Sequence, residues 1–139
     1  MYKRQVVIGG AKVEFPSKAV LEKEFEREIR DYLETEGCYL IPHIEVLNYP
    51  GFPDIMGSFK GRPFGIELKM KPVKNFKENR VALQASRLYM KDKAGWLTGF
   101  AWPANIMEVL FYIFSHGRLI PSDFWIPRYE GSLSLENIQ

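Results

Sequence analysis

Three ionisable residues stand where the chain otherwise reads as core. Asp54 opens the apolar run DIMGSF, and Glu67 and Lys69 interrupt the run PFGIELKM. In a strand, alternate side chains share a face, so Glu67 and Lys69 point one way while Ile66 and Leu68 point the other. Asp54 opens the partner strand, and a twisted hairpin brings its carboxylate towards that of Glu67. Two like charges held close repel and require a cation between them. Mg²⁺ suits that place because it is a hard ion with oxygen ligands and keeps several waters. The carbonyl of Leu68, between Glu67 and Lys69, offers a further oxygen. Lys69 then lies beside a water held by the metal, where it can position that water or stabilise charge developing on a phosphate. This is a phosphodiester hydrolysis site in outline. Each part has an ordinary explanation when taken alone. A Glu-x-Lys pair on an exposed sheet face is common and contributes little, and Pro53-Asp54 is a turn signal. Their order sets them apart: Pro-Asp begins one strand, a short turn follows, and Glu-x-Lys lies on the next.

The surrounding elements must hold these groups together. Residues 1–16 read as a short strand or arm, broken at Gly9-Gly10 and ended by Pro16. Ser17 caps a helix running to about Glu36 and stopped by Gly37. Leu21, Phe25, Ile29, Tyr32 and Leu33 share one stripe of it. CYLIPHIEVL reads as a strand with Pro42 at a bulge or edge, and NYPGFP as a loop. Residues 54–69 form a β-hairpin turning at KGR. A polar, basic loop follows over 71–78. A second helix starts near Asn79 and reaches Lys93, with Gly95 as its stop. WLTGFAW is a further strand. MEVLFYIF admits either helix or strand: Pro103 and Gly117 around it suit a helix, while its aromatic and β-branched content favours a strand. The tail after Pro121 reads as irregular. Residues 1–139 are expected to form a single α/β domain with its core over about 17–115.

The stretch GFPDIMGSFKGRPFGIELKMK (residues 51–71) resembles the signature of the PD-(D/E)XK nuclease superfamily. Pro53-Asp54 matches its first motif and Glu67-Leu68-Lys69 its second. Among its members the chain is most similar to the small Holliday-junction resolvases and the virus-type replication and repair nuclease domains. The order of elements over residues 17–102 agrees with theirs. The resemblance implies a restriction-endonuclease-like core, a mixed β-sheet flanked by helices. It implies Mg²⁺, with Mn²⁺ as a substitute, held by Asp54, Glu67 and the Leu68 carbonyl. It also implies a glutamate on the first helix facing the sheet. Glu22 and Glu28 flank the apolar stripe, and Glu22 is preferred because Phe25, Ile29 and Gly37 follow it at the expected places. A glutamine on the second helix is expected too, which Gln84 supplies. The implied activity is endonucleolytic cleavage of DNA, with branched DNA or a Holliday junction as substrate and a homodimer cutting two strands symmetrically. The rivals are a sequence-specific restriction or homing-type enzyme, which would need added elements for base readout, and a catalytically silent DNA-binding module of the same fold.

Charge and composition agree with these expectations. Lys69, Lys71, Lys74, Lys77 and Arg80 fall within twelve residues, opposed only by Glu78. Phosphate contacts from such a segment give affinity without reading sequence. The net charge of the whole chain, +2, names no partner. One cysteine, Cys38, permits no internal disulfide and suits a reducing compartment, so a cytoplasmic protein is expected. The N-terminus carries no signal-peptide pattern. The longest apolar run, Val109–Phe114, is too short to span a bilayer, so no membrane is expected. One Cys and two His exclude most structural zinc sites. His43 is taken as structural, and Trp96, Trp102 and Trp125 as core or interface. The late aromatics Phe111, Tyr112, Phe114, Phe124 and Trp125 point either to a homodimer face or to MEVLFYIF as a strand covered on both faces, with Phe124 and Trp125 packed over it.

Overall fold

The computed structural model describes residues 3–8, 11–16, 22–42, 52–75 and 78–120. Two strands come first, β1 (Lys3–Ile8) and β2 (Ala11–Pro16), paired antiparallel from Lys3↔Pro16 to Ile8↔Ala11. The single strand or arm expected over residues 1–16 is therefore a paired hairpin, with a strand on either side of positions 9 and 10.

Helix α1 (Glu22–Thr35) forms because apolar residues recur every fourth position. Phe25, Ile29 and Leu33 are fully buried, each burial being worth roughly 1.5–3 kcal/mol. The helix ends where the sequence predicts. Gly37 takes φ +93°, a left-handed conformation that side chains disfavour. The N–H of Cys38 then donates to the Leu33 carbonyl at 2.9 Å and closes the last turn. The capping position proposed for Ser17 lies outside the described residues.

A four-stranded mixed sheet follows in the order β3-β4-β5-β6. Its strands are β3 (Tyr39–Leu40), β4 (Ile55–Phe59), β5 (Arg62–Leu68) and β6 (Leu97–Ala101). The first three pair antiparallel, and β5 pairs parallel with β6. The strand expected over residues 38–47 is described only as β3, with the Ile41 N–H donating to the Met56 carbonyl one step beyond it. The turn between β4 and β5 is as tight as the sequence suggests, with Lys60 at φ +46° and Gly61 at φ +85°. Two consecutive positive values suit a two-residue hairpin loop. The parallel crossover is supplied by α2 (Asn79–Lys93), the kind of connection parallel strands require.

The strands have period two, so the sheet has two different faces. Ile55, Phe59, Phe64, Ile66, Leu68, Leu97 and Ala101 face α1 and a third helix, α3 (Ile106–Phe114), in one apolar core. On the opposite face Phe100 packs with Ala85 and Leu88 of α2 and with Trp102. The strand expected at MEVLFYIF is thus a helix. Six of its nine residues are buried, including Met107, Val109, Leu110, Tyr112 and Ile113. The Asn105 side chain fixes the approach to it, accepting from the Trp102 N–H at 2.7 Å and donating to the Phe100 carbonyl at 3.3 Å. Tyr112 belongs to the core, and Phe114 packs on Phe59 with ring centroids 4.9 Å apart. These two aromatics thus pack in or against the core. Phe124 and Trp125 lie outside the described residues. Among the described residues, no helix is long and apolar enough to cross a membrane.

Candidate active site

The hairpin register brings the two acids together. Ile55 pairs with Ile66, so one further step sets Asp54 across from Glu67. Cross-strand neighbours of this kind have Cβ atoms about 5 Å apart. Alternation puts both side chains on the α2 face, since Ile55 and Ile66 point into the opposite core. Pro53 lies over Gly65, where an added Cβ would come within 3.1 Å of the Pro53 ring. A side chain at position 65 would push against the segment that carries Asp54.

Each carboxylate has a fixed partner. The Leu68 N–H donates to Asp54 Oδ2 at 2.8 Å. Gln84 Nε2, from α2, donates to Glu67 Oε1 at 2.9 Å. Glu67 is 6% exposed and Gln84 is 8% exposed, so this is a polar contact inside an otherwise apolar layer. The Glu67 pKa is pushed up from 4.5 to about 9, with burial the largest cause. The charge and hydrogen bonding of Asp54 contribute to that rise, while the charges of Lys69 and Arg80 act in the other direction. Without a cation, burial therefore favours the protonated form of Glu67 at neutral pH.

That arrangement fits a hydrated divalent cation. Among the described residues no cluster of three or more His, Cys, Asp or Glu could hold a metal, and Mg²⁺ is commonly held by only one or two carboxylates with the rest of its shell water. A cation between Asp54 and Glu67 would relieve the repulsion between the two carboxylates. Gln84 Oε1 is buried with no hydrogen-bond partner, and it is an acceptor suited to a water of such a shell. Leu68 enters the site through its N–H, and its carbonyl is the next oxygen along the chain.

Lys69 follows directly, half-buried, one residue past β5. Its N–H donates to the Ala101 carbonyl at 2.8 Å, which extends the β5–β6 pairing and anchors the backbone there. Asp54, Glu67, Gln84 and Lys69 therefore belong to one constellation. Glu22 does not join them. It is the exposed first residue of α1 and makes no hydrogen bond or ion pair among the described residues. Helical phase gave its direction, but Glu22 precedes Phe25, the first residue of the helix to pack against the sheet. Glu28 is half-buried and is not bonded to the pair either.

The contact from α1 is made by residues that the sequence did not single out. Arg30 donates to Glu26 Oε2 at 2.9 Å and to the backbone carbonyl of Asp54 at 2.9 Å. The available signal was the Glu26/Arg30 spacing of four, with the acid nearer the N-terminus, on one flank of the Phe25/Ile29 stripe.

The basic segment passes beside this constellation. Lys71, Lys74 and Arg80 are exposed, and Lys77 lies outside the described residues. An open groove of about 470 Å³ is lined by Lys71, Lys74, Asn75 and Glu78 over Val73 and Val81. Trp102 is buried in the α2-side core and Trp96 is half-buried, while His43 and Trp125 lie outside the described residues. Comparison with family models, curated proteins and solved structures finds no match to the chain.

Proposed function

We propose that the protein is a metal-dependent DNA endonuclease of the PD-(D/E)XK superfamily with a restriction-endonuclease-like core. One observation carries this: Asp54 and Glu67 stand across from each other at one end of the sheet, Asp54 held by the Leu68 N–H and buried Glu67 by Gln84, with Lys69 two residues beyond Glu67. Asp54, Glu67 and the Leu68 carbonyl would hold Mg²⁺ or Mn²⁺. When bound, such an ion acidifies water and neutralises charge on a phosphate. The chain's own groups do the rest. The Leu68 N–H keeps Asp54 turned towards the site, and Gln84 does the same for Glu67. The Lys69 ammonium holds the attacking water or the developing phosphate charge. The water oxygen forms the new bond to phosphorus, the bond from phosphorus to a sugar oxygen breaks, and the proton given up by the water is balanced by the one gained on the departing sugar hydroxyl, with no covalent enzyme intermediate.

Lys71, Lys74, Lys77 and Arg80 would track the DNA backbone, supplying affinity without base readout. Branched DNA is the proposed substrate, cut by a cytoplasmic homodimer whose two sites act on two strands. The test is a panel of labelled substrates comprising linear duplex, single strand, flap, splayed arm and four-way junction, each with Mg²⁺ or chelator. Cleavage that requires the metal and favours the branched substrates is expected. Absence of metal-dependent cleavage across the whole panel overturns the proposal. Light scattering tests the dimer, with a mass near twice 16.2 kDa expected.

A further inference from the structure

We infer that Arg30 is a positioning residue for this site, clamping the Asp54 backbone from the opposite face of the sheet; the role at the metal rests on the nuclease proposal, while the clamp itself does not. Three of the guanidinium nitrogens are engaged. Nε donates to Glu26 Oε2 at 2.9 Å, Nη1 to the Ile41 carbonyl at 3.1 Å and Nη2 to the Asp54 carbonyl at 2.9 Å. The Arg30 and Glu26 side chains are 17% and 19% exposed, so both are largely withdrawn from water. A guanidinium is a planar fork with fixed donor directions, and engaging it at three points leaves little freedom.

The two carbonyls identify what is being held. Ile41 lies just beyond β3 and Asp54 just before β4, at the end of the sheet where the pairing of these strands is described no further. Arg30 joins the two segments there. Neighbouring Ile29 and Leu33 are fully buried in the core, so the arginine stands on a firm base. Fixing the Asp54 carbonyl limits rotation of the Asp54 backbone and with it the direction of the side chain. On the other side Asp54 Oδ2 accepts from the Leu68 N–H. Asp54 is thus held twice, through its backbone by α1 and through its carboxylate by β5. A surface ion pair has no such reach, and Glu26 serves here to orient the fork.

The test uses the full chain with Arg30→Met and Arg30→Lys. The lysine keeps the charge and loses the fork, and it is the variant to rely on if the methionine variant does not fold. The first measurement is hydrogen exchange and the chemical shift of the Leu68 amide in metal-free protein, which reports the Asp54 carboxylate without reference to any metal or activity. Loss of protection at Leu68 is expected in both variants, with near-normal protection at core amides such as Ile29 and Phe64. The second is Mn²⁺ binding, expected to weaken by roughly 10–100-fold in Arg30→Met and less in Arg30→Lys, the range found when groups orienting metal ligands are removed. In cleavage assays the requirement for Mg²⁺ should rise while KM for DNA stays unchanged. A folded variant with wild-type Leu68 protection overturns the clamp, whatever its activity. If the wild type binds no Mn²⁺ and cuts no DNA, yet Leu68 loses protection in the variants, the clamp stands and the nuclease proposal fails.

Discussion

The two faces of the central sheet are built from the same strands and behave as different materials. Towards α1 and α3, the strands present Ile55, Phe59, Phe64, Ile66 and Leu68 in one apolar core. Towards α2, the same two strands present Asp54, Gly65 and Glu67, and the helix answers with Gln84. The first face contributes stability by removing apolar surface from water. The second gives up some of that gain to hold two carboxyl groups, one of them the buried Glu67. Because strand side chains alternate, the two tasks are interleaved residue by residue. A slip of one residue in the β4–β5 register would exchange them.

Substitutions on opposite faces should therefore separate activity from stability. The largest effect is expected from Asp54→Asn, which should lower cleavage by at least ~100-fold, since even groups that merely orient ligands cost 10–100-fold. DNA binding should persist or tighten, because a negative charge near the phosphates is lost. Cleavage at the wild-type rate would show that the α2 face is not the site. Phe64→Ala, one position from Gly65 but on the apolar face, should do the reverse. About 3–5 kcal/mol of stability should be lost, seen as a lower urea midpoint, with the remaining folded fraction still cutting. Loss of activity without loss of stability would break the division between faces.

The pH dependence sharpens the comparison. The Glu67 pKa is about 9 in the folded chain against an ordinary 4.5. The folded state thus keeps a proton that the unfolded chain releases. In chelator, this contribution to stability is fully present below about pH 4.5, declines as pH rises and is lost through about pH 9. Glu67→Gln should flatten that decline, measured as urea midpoints across the range. An equally steep decline in the variant would place the titrating group elsewhere. The smallest effect is expected from Lys71→Ala with Lys74→Ala. Binding to all DNA sequences should weaken alike, and the slope of log affinity against log salt should flatten by up to about 0.9 per lost phosphate contact. An unchanged slope would remove the exposed loop from the binding surface.

What the sequence disclosed followed from how strongly local pattern constrains each element. The hairpin of residues 54–69 was legible because alternation, the Lys60-Gly61 turn and the Glu67-x-Lys69 spacing agree. Helix α2 was legible from its start and its stop at Gly95. Helix α3 was not, because it is buried around most of its circumference and lacks a polar stripe. Its half-buried positions, Glu108, Phe111, Phe114 and Ser115, do recur at helical spacing, but two of them are phenylalanines and hide the period. For Glu22 the sequence supplied only part of what its placement depends on. Periodicity gives the angle of a side chain about the helix axis, whereas contact with Asp54 also depends on how far along α1 the sheet extends. Arg30 satisfies both conditions, and only three-dimensional placement distinguishes it.

The constellation draws on α1, the hairpin and α2, so Arg30, Asp54, Glu67 and Gln84 meet only when both helical layers have docked on the sheet. The β4–β5 turn can close early because it is local, whereas the contacts from α1 and α2 bridge long stretches of chain and carry a loop-closure cost. A newly made chain with a formed hairpin but undocked helices would carry its acids unsupported. The hairpin alone can bring the acids together, but Gln84 and Arg30 reach them only from docked helices, so the support of the pair is a property of the whole fold.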